Sequence, residues 1–223
     1  MILNVVLKMI LRSWWRNKVF FLVSVASLAL GLACTNLLMT YFVHEHGLEG
    51  RNPDRDRMFF LRQDDPMTEG KRVAFAGAEI PPQLKQSYAE VENFLRLGKL
   101  DLLYCKVNEQ KVEGDFKMLS ADTTLTNFFD YRTEEGSLSQ VLCQPGKVAL
   151  SEACARRLFG GKQAVGKQVE AHFRFGEVRP YEVAAVLKKR EQSLLQFDML
   201  IAHDPDFFWG GLTLLKLTPG TDA

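Results

Sequence analysis

The chain has 223 residues, of which 28 are basic and 27 acidic, so it carries almost no net charge. A balanced composition without a basic tract argues against nucleic acid as a partner. Four of the basic residues precede residue 19, which leaves 24 basic against 27 acidic residues in the remainder. Residues 58–218 form a stretch of roughly 160 residues, long enough to bury a proper core, so we expect one folded domain there, in one or two lobes.

Residues 19–43 contain no charged side chain. A helix of this length covers roughly 37 Å, more than the ~30 Å hydrocarbon core of a bilayer. The residues before it include Lys8, Arg12, Arg16 and Lys18 and no acidic residue. Because positive charge is retained on the cytosolic side, we expect a single-pass helix in the inner membrane, with a cytosolic N-terminus and a periplasmic or other extracytoplasmic main domain.

A cleaved signal peptide is the alternative interpretation of this run. The apolar part of a signal peptide has ~7–15 residues and ends at a small-residue cleavage site. Here the apolar run continues past Ala33 and Cys34, and Gly31 stands where a lipoprotein site would have a large aliphatic residue. We therefore expect an uncleaved anchor.

Residues 1–18 have the pattern of an amphipathic helix. Asn4, Lys8, Arg12 and Arg16 recur every four residues, and apolar residues fill the positions between them. This pattern predicts a cytosolic interfacial helix on membrane lipid, with a frayed cytosolic tail as the alternative.

Small residues recur within the predicted span. Ser27, Gly31 and Thr35 are four residues apart, and small residues at this spacing let another helix approach closely. Asn36 adds a side chain that can hydrogen-bond across helices. The pattern predicts packing of the span against other membrane helices, and chance is the alternative because small residues are common in such helices.

Residues 44–57 are expected to form a short connector between the span and the outer domain. His44 and His46 flank Glu45 there, but nothing nearby completes a set of metal ligands. We predict no metal site, no cofactor and no catalytic residue, because no spacing in the chain suggests a nucleophile with its base.

Residues 58–223 are expected to form a mixed α/β domain, so the fold class is α+β after one transmembrane helix. Ser151 is predicted to cap a helix over residues 152–159, which Gly160 ends in left-handed geometry. A second helix begins at Pro81 and includes Tyr88, and a short third covers residues 124–129. Strands are predicted at residues 58–61, 91–97, 102–107, 112–119, 147–150, 169–175, 181–187 and 212–217.

Residues 161–168 read GKQAVGKQ and almost spell a phosphate-binding loop. The last position is Gln168, which has no hydroxyl for a magnesium ion. The context is also reversed, because a helix leads into the turn and a strand leads out, whereas a phosphate loop runs from strand into helix. We interpret the segment as a helix-to-strand turn.

The four cysteines do not indicate a disulfide framework or a metal site. Cys34 lies in the span, and Cys105, Cys143 and Cys154 follow at irregular spacing. An oxidising compartment would permit one disulfide, but the spacing fits no disulfide framework and no zinc motif. Small apolar core residues are the simpler interpretation.

The order of these features resembles the N-terminal part of FtsX/MacB-type ABC transporter permeases. The strongest likeness is to one segment of the MacB-like periplasmic core domain. In this chain the segment reads VALSE at residues 148–152, followed by LFG and then GK. The resemblance implies that Ser151, Glu152, Phe159, Gly160 and Gly166 are structural residues of a family motif. Further likeness lies in residues 11–18, 28–34, 182–186 and 216–220. The chain departs from the family at Ala164 and Val165, where proline often precedes the glycine turn, and at Ala185, which is often glycine.

The resemblance implies a non-enzymatic permease subunit that forms a dimer and pairs with a cytosolic ABC-type ATPase. Such permeases couple ATP hydrolysis to movement of their outer domains, and thereby export molecules, release lipoproteins or control wall hydrolases. They carry three further spans after the core domain, so the chain is expected to be an N-terminal portion. The alternatives are a membrane-anchored sensing or ligand-binding module and a membrane-anchored enzyme, for which no residue set can be named.

Overall fold

The structure is a computed structural model that describes residues 18–47, 52–64, 71–161, 163–174, 176–188, 193, 195–204 and 210–221. The chain divides into two compact units, Met1–Leu48 and Glu49–Ala223. The predicted interfacial helix lies outside the described residues, except for Lys18.

The first unit contains one long helix, α1 (Lys18–Gly47), of 30 residues. Between Lys18 and Val43 its mean hydropathy is 2.0 and none of it is buried, so by length and composition this helix can cross a membrane. Its large side chains are exposed all round; Leu30, for example, is 68% exposed. The predicted span is therefore helical, and the helix continues four residues beyond the predicted end at Val43.

The second unit is a sheet-rich domain with short helices. A 3₁₀ turn covers Arg55–Arg57, and the α-helices are α2 (Ile80–Ser87), α3 (Leu125–Phe128), α4 (Leu138–Cys143) and α5 (Glu152–Phe159). The strands are β1 (Met58–Phe60), β2 (Gln63–Asp64), β3 (Arg72–Val73), β4 (Ala76–Gly77), β5 (Val91–Val107), β6 (Gln110–Glu113), β7 (Lys117–Ala121), β8 (Thr133–Gly136), β9 (Lys147–Ser151), β10 (Gln168–Phe173), β11 (Val178–Leu187), β12 (Met199–Ala202) and β13 (Gly210–Leu217).

The central feature of the sheet is a closed circuit of strand pairs. Around this circuit the order is β5, β10, β11, β9, β12 and β7, and β7 pairs back with β5. The strand β5 can serve two neighbours on one edge because its first half pairs with β13 and its second half with β10. Its 17 residues therefore connect the circuit to the β1–β13 pair.

Two hydrophobic clusters lie on the two faces of these strands. In β9, Val148 and Leu150 belong to the first cluster and Ala149 to the second, as the alternation of side chains along a strand requires. The first cluster also takes in α5, and the second takes in α3 and α4. On the second face, the alanines Ala149, Ala184 and Ala185 let α4 pack closely on β9 and β11.

Most of the predicted elements are confirmed, with two changes in the strands. The strands predicted at 91–97 and 102–107 are one continuous strand, because Gly98 is paired within β5 instead of ending it. The strand predicted over 112–119 is broken into β6 and β7 at Gly114, where an added Cβ would lie 1.5 Å from Nη2 of Arg157. Phe175, at the end of another predicted strand, lies outside the described residues.

Several elements were not predicted: the 3₁₀ turn, the two-residue strands β2, β3 and β4, and the longer elements β8, α4 and β12. The sequence of β8 has no apolar side chain, and the strand exists because its backbone pairs with β11. The strand β12 has four residues, too few for a periodic signal, and it inserts between β9 and β7.

Candidate functional site: a charge cluster at the first turn of the domain

The domain begins with a turn, residues 52–57, that is fixed by its own side chains. Oδ1 of Asn52 accepts a hydrogen bond from the amide of Asp54 at 3.0 Å, which closes an Asx turn. Nδ2 of Asn52 donates to the carbonyl of Phe128 at 2.6 Å. The amide of Arg57 donates to the carbonyl of Asp54 at 2.9 Å. The turn is thus attached to the end of α3.

The first and last strands of the domain are neighbours. In the antiparallel pair of β1 and β13, Met58 lies opposite Lys216. Just after β13, the amide of Thr218 donates to the carbonyl of Glu90 at 2.9 Å. The start of the domain at β1 therefore lies beside the end of β13.

A cluster of four charged residues, Asp54, Arg57, Glu92 and Lys216, joins these segments; we refer to it as the charge cluster. Nζ of Lys216 lies 2.5 Å from Oδ2 of Asp54 and 3.6 Å from Oε1 of Glu92. Nη1 of Arg57 lies 2.6 Å from Oε2 of Glu92, and its Nη2 pairs with Asp54. Nη1 of Arg57 also donates to the carbonyl of Leu217 at 2.9 Å.

The charges of the cluster stabilise one another. The hydrogen bond from Lys216, followed by that from Arg57, lowers the pKa of Asp54 below its ordinary value. Arg57 likewise lowers the pKa of Glu92, and hydrogen bonds to Asp54 and Glu92 raise the pKa of Arg57. Asp54, Glu92 and Arg57 are therefore held in their charged forms at neutral pH.

Lys216 could have been found from the sequence, although we did not predict a role for it. Leu212, Leu214 and Lys216 share one face of β13, and Leu214 is buried in the second cluster. A lysine that continues an inward-facing row requires a partner of opposite charge. The sequence does not reveal the partners, because Asp54 and Glu92 are distant in the chain.

The predicted motif residues of β9 and α5 build a strand–helix unit. Oγ of Ser151 accepts from the amide of Cys154 at 3.2 Å, which confirms the predicted cap. The carboxylate of Glu152 pairs with Arg156 one turn later. Gly160 ends α5 at φ 65° and ψ 33°, the left-handed geometry predicted for it.

The turn after α5 has the wrong geometry for a phosphate loop. The amide of Gly166 donates to the carbonyl of Val183 at 2.8 Å, and the amide of Lys167 donates to that of Ala164 at 3.1 Å. Nζ of Lys167 lies 4.7 Å from the centre of the Phe159 ring. These groups join α5 to β11, so the motif residues Phe159 and Gly166 serve the packing of the sheet.

The four residues predicted to pack in the membrane lie in α1 with few neighbours. Nothing comes within 4 Å of a Cβ built on Gly31. Oγ1 of Thr35 donates to the carbonyl of Gly31 at 2.8 Å, and Nδ2 of Asn36 donates to that of Leu32 at 3.0 Å. Ser27 is exposed. Both hydrogen bonds stay within the helix.

The cysteines are separate thiols in the described part of the chain. Cys105 and Cys154 are buried in the first cluster, and Cys34 and Cys143 are exposed. Burial raises the pKa of Cys105 to about 12 and that of Cys154 further, so neither is reactive at neutral pH. Among the described residues no group of His, Cys, Asp and Glu could hold a metal ion. The side chains of His44, Glu45 and His46 are not among those that the structure describes.

The domain also has a cleft of about 440 Å³. It lies where β9 and β11 begin and β12 ends. Its walls include Tyr181 and Ile201, and Nη1 of Arg179 pairs with Oδ2 of Asp204 at 2.7 Å within it. The arginine is thereby neutralised, as it is also by Glu177 at 2.7 Å.

In this chain an apolar helix long enough to cross a membrane is followed by a mixed α/β domain whose first and last described strands pair. The chain matches the family described as the MacB-like periplasmic core domain over residues 21–222. It therefore belongs to this family, which is the periplasmic domain of MacB-like ABC transporter permeases. Among curated proteins, none matches the chain.

Solved structures share the fold. A domain of a proposed permease from Porphyromonas gingivalis is 20% identical with a TM-score of 0.61, over 76% of this chain and 79% of that one. The periplasmic region of MacB from Actinobacillus actinomycetemcomitans is 11% identical with a TM-score of 0.54, over 80% and 79%. The extracellular domain of the ABC-type transporter YknZ from Gram-positive bacteria is 16% identical with a TM-score of 0.55, over 73% and 83%. The family resemblance seen in the sequence is thus confirmed.

Proposed function

We propose that the chain is the N-terminal part of a permease subunit that converts ATP hydrolysis by a separate cytosolic ATPase into movement of its outer domain. Membership of the MacB-like family supports a role in an ABC transporter. The movement would serve export, lipoprotein release or the control of wall hydrolases. The chain itself acts without catalysis, cofactor or metal, because the chemistry belongs to the ATPase.

One observation carries this proposal: the turn at residues 52–57 is bonded both to β13 and to the start of β5. Only residues 48–51 separate the end of α1 from this turn in the sequence. A displacement that arrives along the chain is therefore passed to β13 and to β5, and β5 is itself a strand of the closed circuit. A loosely tethered domain would not need these contacts.

The proposed arrangement in the cell follows the sequence. Residues 1–18 lie on the inner leaflet, residues 19–43 cross the inner membrane once, residues 44–57 connect, and residues 58–223 lie outside the cytoplasm. The uncharged helix and the basic residues before it support this orientation.

A second permease subunit is the proposed neighbour of α1. Its apolar surface is exposed all round, so lipid or other helices must cover it. Ser27, Gly31, Thr35 and Asn36 would lie in the contact with another helix. The internal hydrogen bonds of Thr35 and Asn36 mean that close packing at Gly31, more than bonding between helices, would stabilise it.

The test of the proposal is co-purification. The tagged chain, or the longer permease that contains it, is extracted from the membranes of its host in mild detergent and assayed for ATP hydrolysis. We expect an ABC-type ATPase to be retained. Deletion of residues 52–217 from that permease should abolish transport and leave hydrolysis in place. Absence of any ATPase would contradict the proposal.

The orientation is tested with the exposed thiol of Cys143. A membrane-impermeant maleimide should label Cys143 in cells whose outer layer has been made permeable, with Cys34→Ser as the background. Labelling that requires lysis of the cytoplasmic membrane would place the domain in the cytosol and rule out the proposed function.

The cleft favours a second candidate, a membrane-anchored module that senses or binds a ligand. Its volume of about 440 Å³ is within the range of small-molecule pockets. Three further apolar runs downstream of Ala223 in the gene would favour the permease, whereas a stop codon there would favour the module. Because Arg179 is paired with both Glu177 and Asp204, its guanidinium offers a ligand no uncompensated positive charge.

A further inference from the structure

We propose that Lys216 is the positioning residue through which the first turn of the domain moves β5 and β13 together. This inference rests on the proposed function, and it adds which side chains transmit the displacement. Lys216 acts by holding Asp54 and Glu92 in one place.

The burial of Lys216 is the first step in the argument. The residue is only 7% exposed, unlike the partners that reach it from the surface. Removing an ammonium group from water is unfavourable, and an apolar residue in its place is often neutral or stabilising. An ion pair whose ammonium is buried therefore contributes little to stability, and it is better suited to fixing two segments in a single register.

The second step is that the charge cluster crosses three segments of the chain. Asp54 and Arg57 belong to the first turn, Glu92 to the start of β5, and Lys216 to the end of β13. The ammonium also lies 3.5 Å from the carbonyl of Asn127, next to the α3 carbonyl that holds Asn52. The cluster thus binds the turn to both strands at once.

The third step is that backbone pairing alone connects the turn poorly. The strand β1 has three residues and pairs only through β13 in the described part of the sheet. A short edge strand opens at low cost in free energy. Side-chain contacts to β5 give the turn a second connection, and β5 continues directly into the closed circuit.

The ion pair between Lys111 and Glu113 provides a contrast with the charge cluster. Nζ of Lys111 lies 2.6 Å from Oε1 of Glu113, but both residues belong to β6 and both are exposed. Nζ of Lys111 also lies 4.4 Å from the centre of the Tyr104 ring in the second half of β5, so this pair does not join the first turn to the sheet. Lys111 therefore provides a matched control, since its removal breaks an ion pair of similar length outside the charge cluster.

The experiment compares Lys216→Met with Lys111→Met in the complex of permease and ATPase, in a Cys34→Ser background with a fluorophore on Cys143. Methionine keeps the length of the side chain and fills the buried space. For Lys216→Met we expect the ATP-dependent fluorescence change to fall about fivefold or more, while ATP hydrolysis stays within about twofold of the parent. For Lys111→Met we expect both to remain at the parent level.

Hydrogen exchange provides a measurement that needs no ATPase. The amide of Leu61 donates to the carbonyl of Thr213 at 2.9 Å and reports on the attachment of the turn. Lys216→Met should speed exchange at residues 55–61 by about tenfold and leave β9 and β12 unchanged. Unchanged exchange at residues 55–61, or an undiminished fluorescence response, would overturn the role of Lys216.

The two proposals fail in different ways. A parent complex without any ATP-dependent response contradicts the proposed function, whatever the exchange data show. A parent that responds, together with a Lys216→Met variant that responds equally, contradicts only the role of Lys216. Global acceleration of exchange, including β9, would show that Lys216 serves the stability of the whole domain and would also overturn the inference.

Discussion

The helix α1 and the sheet domain use the same apolar residue types in opposite ways. Leu30 of α1 is 68% exposed, whereas Leu150 of β9 is fully buried. Large apolar side chains are exposed along the helix, whereas those of the strands alternate between two hydrophobic clusters. Because of this difference, α1 is suited to a hydrocarbon solvent, whereas the domain forms its own apolar interior.

The two regions also treat polar groups differently. The polar side chains of Thr35 and Asn36 are bonded within α1, so each turn of the helix is independent of distant residues. In the domain, Lys216 depends on Asp54, which is 162 positions away in the sequence. Interactions within α1 are local, and those of the domain are long-range.

The largest expected effect comes from making the same substitution, leucine to alanine, in each of the two regions. Leu150→Ala should lower the free energy of unfolding of the domain by about 2–5 kcal/mol, because it leaves a cavity in the first cluster. Leu30→Ala should leave the melting temperature of the domain unchanged. Thermal melting in detergent measures both, and equal shifts would show that α1 is part of the folded core.

The next effect concerns charge. Leu30→Arg places a guanidinium near the middle of the predicted span and should cost about 2.5–3.5 kcal/mol of insertion free energy. Alkaline extraction of membranes should then release more of the chain. The control Leu103→Arg changes a side chain of β5 that is 47% exposed, and it should leave both extraction and melting as they are. Full retention of Leu30→Arg in the membrane would argue against a spanning helix.

A smaller effect distinguishes a hydrogen bond that caps the start of one helix from a hydrogen bond inside another helix. Ser151→Ala removes the cap of α5 and should destabilise the domain by about 0.5–2 kcal/mol. Thr35→Ala removes a bond to Gly31, whose carbonyl is already placed to accept the regular helical bond, so its effect should be a few tenths of a kcal/mol at most. Chemical denaturation of the two variants gives the difference, and equal effects would contradict the distinction.

The smallest effect is the dependence of stability on pH. Because the pKa of Asp54 is lowered in the folded domain, its contribution is present above the ordinary pKa near 3.8 and is lost as the pH falls through the lowered value. Lys216→Met removes the largest cause of the shift, so the loss of stability on acidification should become shallower. Residues 19–43 contain no ionisable carboxyl group and should add no pH dependence. Melting curves recorded at several acidic pH values measure the slope, and an unchanged slope would contradict the pairing.

Part of the domain was predictable from local patterns. The cap at Ser151, the left-handed Gly160 and the helix between them depend on residues within one or two turns, and all are confirmed. The strand β8 escaped prediction because its sequence is wholly exposed and polar, and only the neighbouring β11 makes it a strand. Likewise, the continuity of β5 through Gly98 depends on β7.

The charge cluster was not predicted for the same reason. Asp54 lies in the predicted connector, but its partners Glu92 and Lys216 are brought to it by the pairing of β1, β13 and β5. Strand register decides which charged residues meet, and register depends on contacts between distant segments.

By itself, the sequence determined the apolar helix, the family of the domain and the short motifs that start and stop its elements. All of these depend on residues close together in the chain, because hydropathy over a span and the geometry of a helix end are local properties. The folded domain was needed to reveal the closed circuit of strands, the two clusters on its faces and the charged groups around Lys216. Those depend on which segments meet, and that is determined by the free energy of the whole fold.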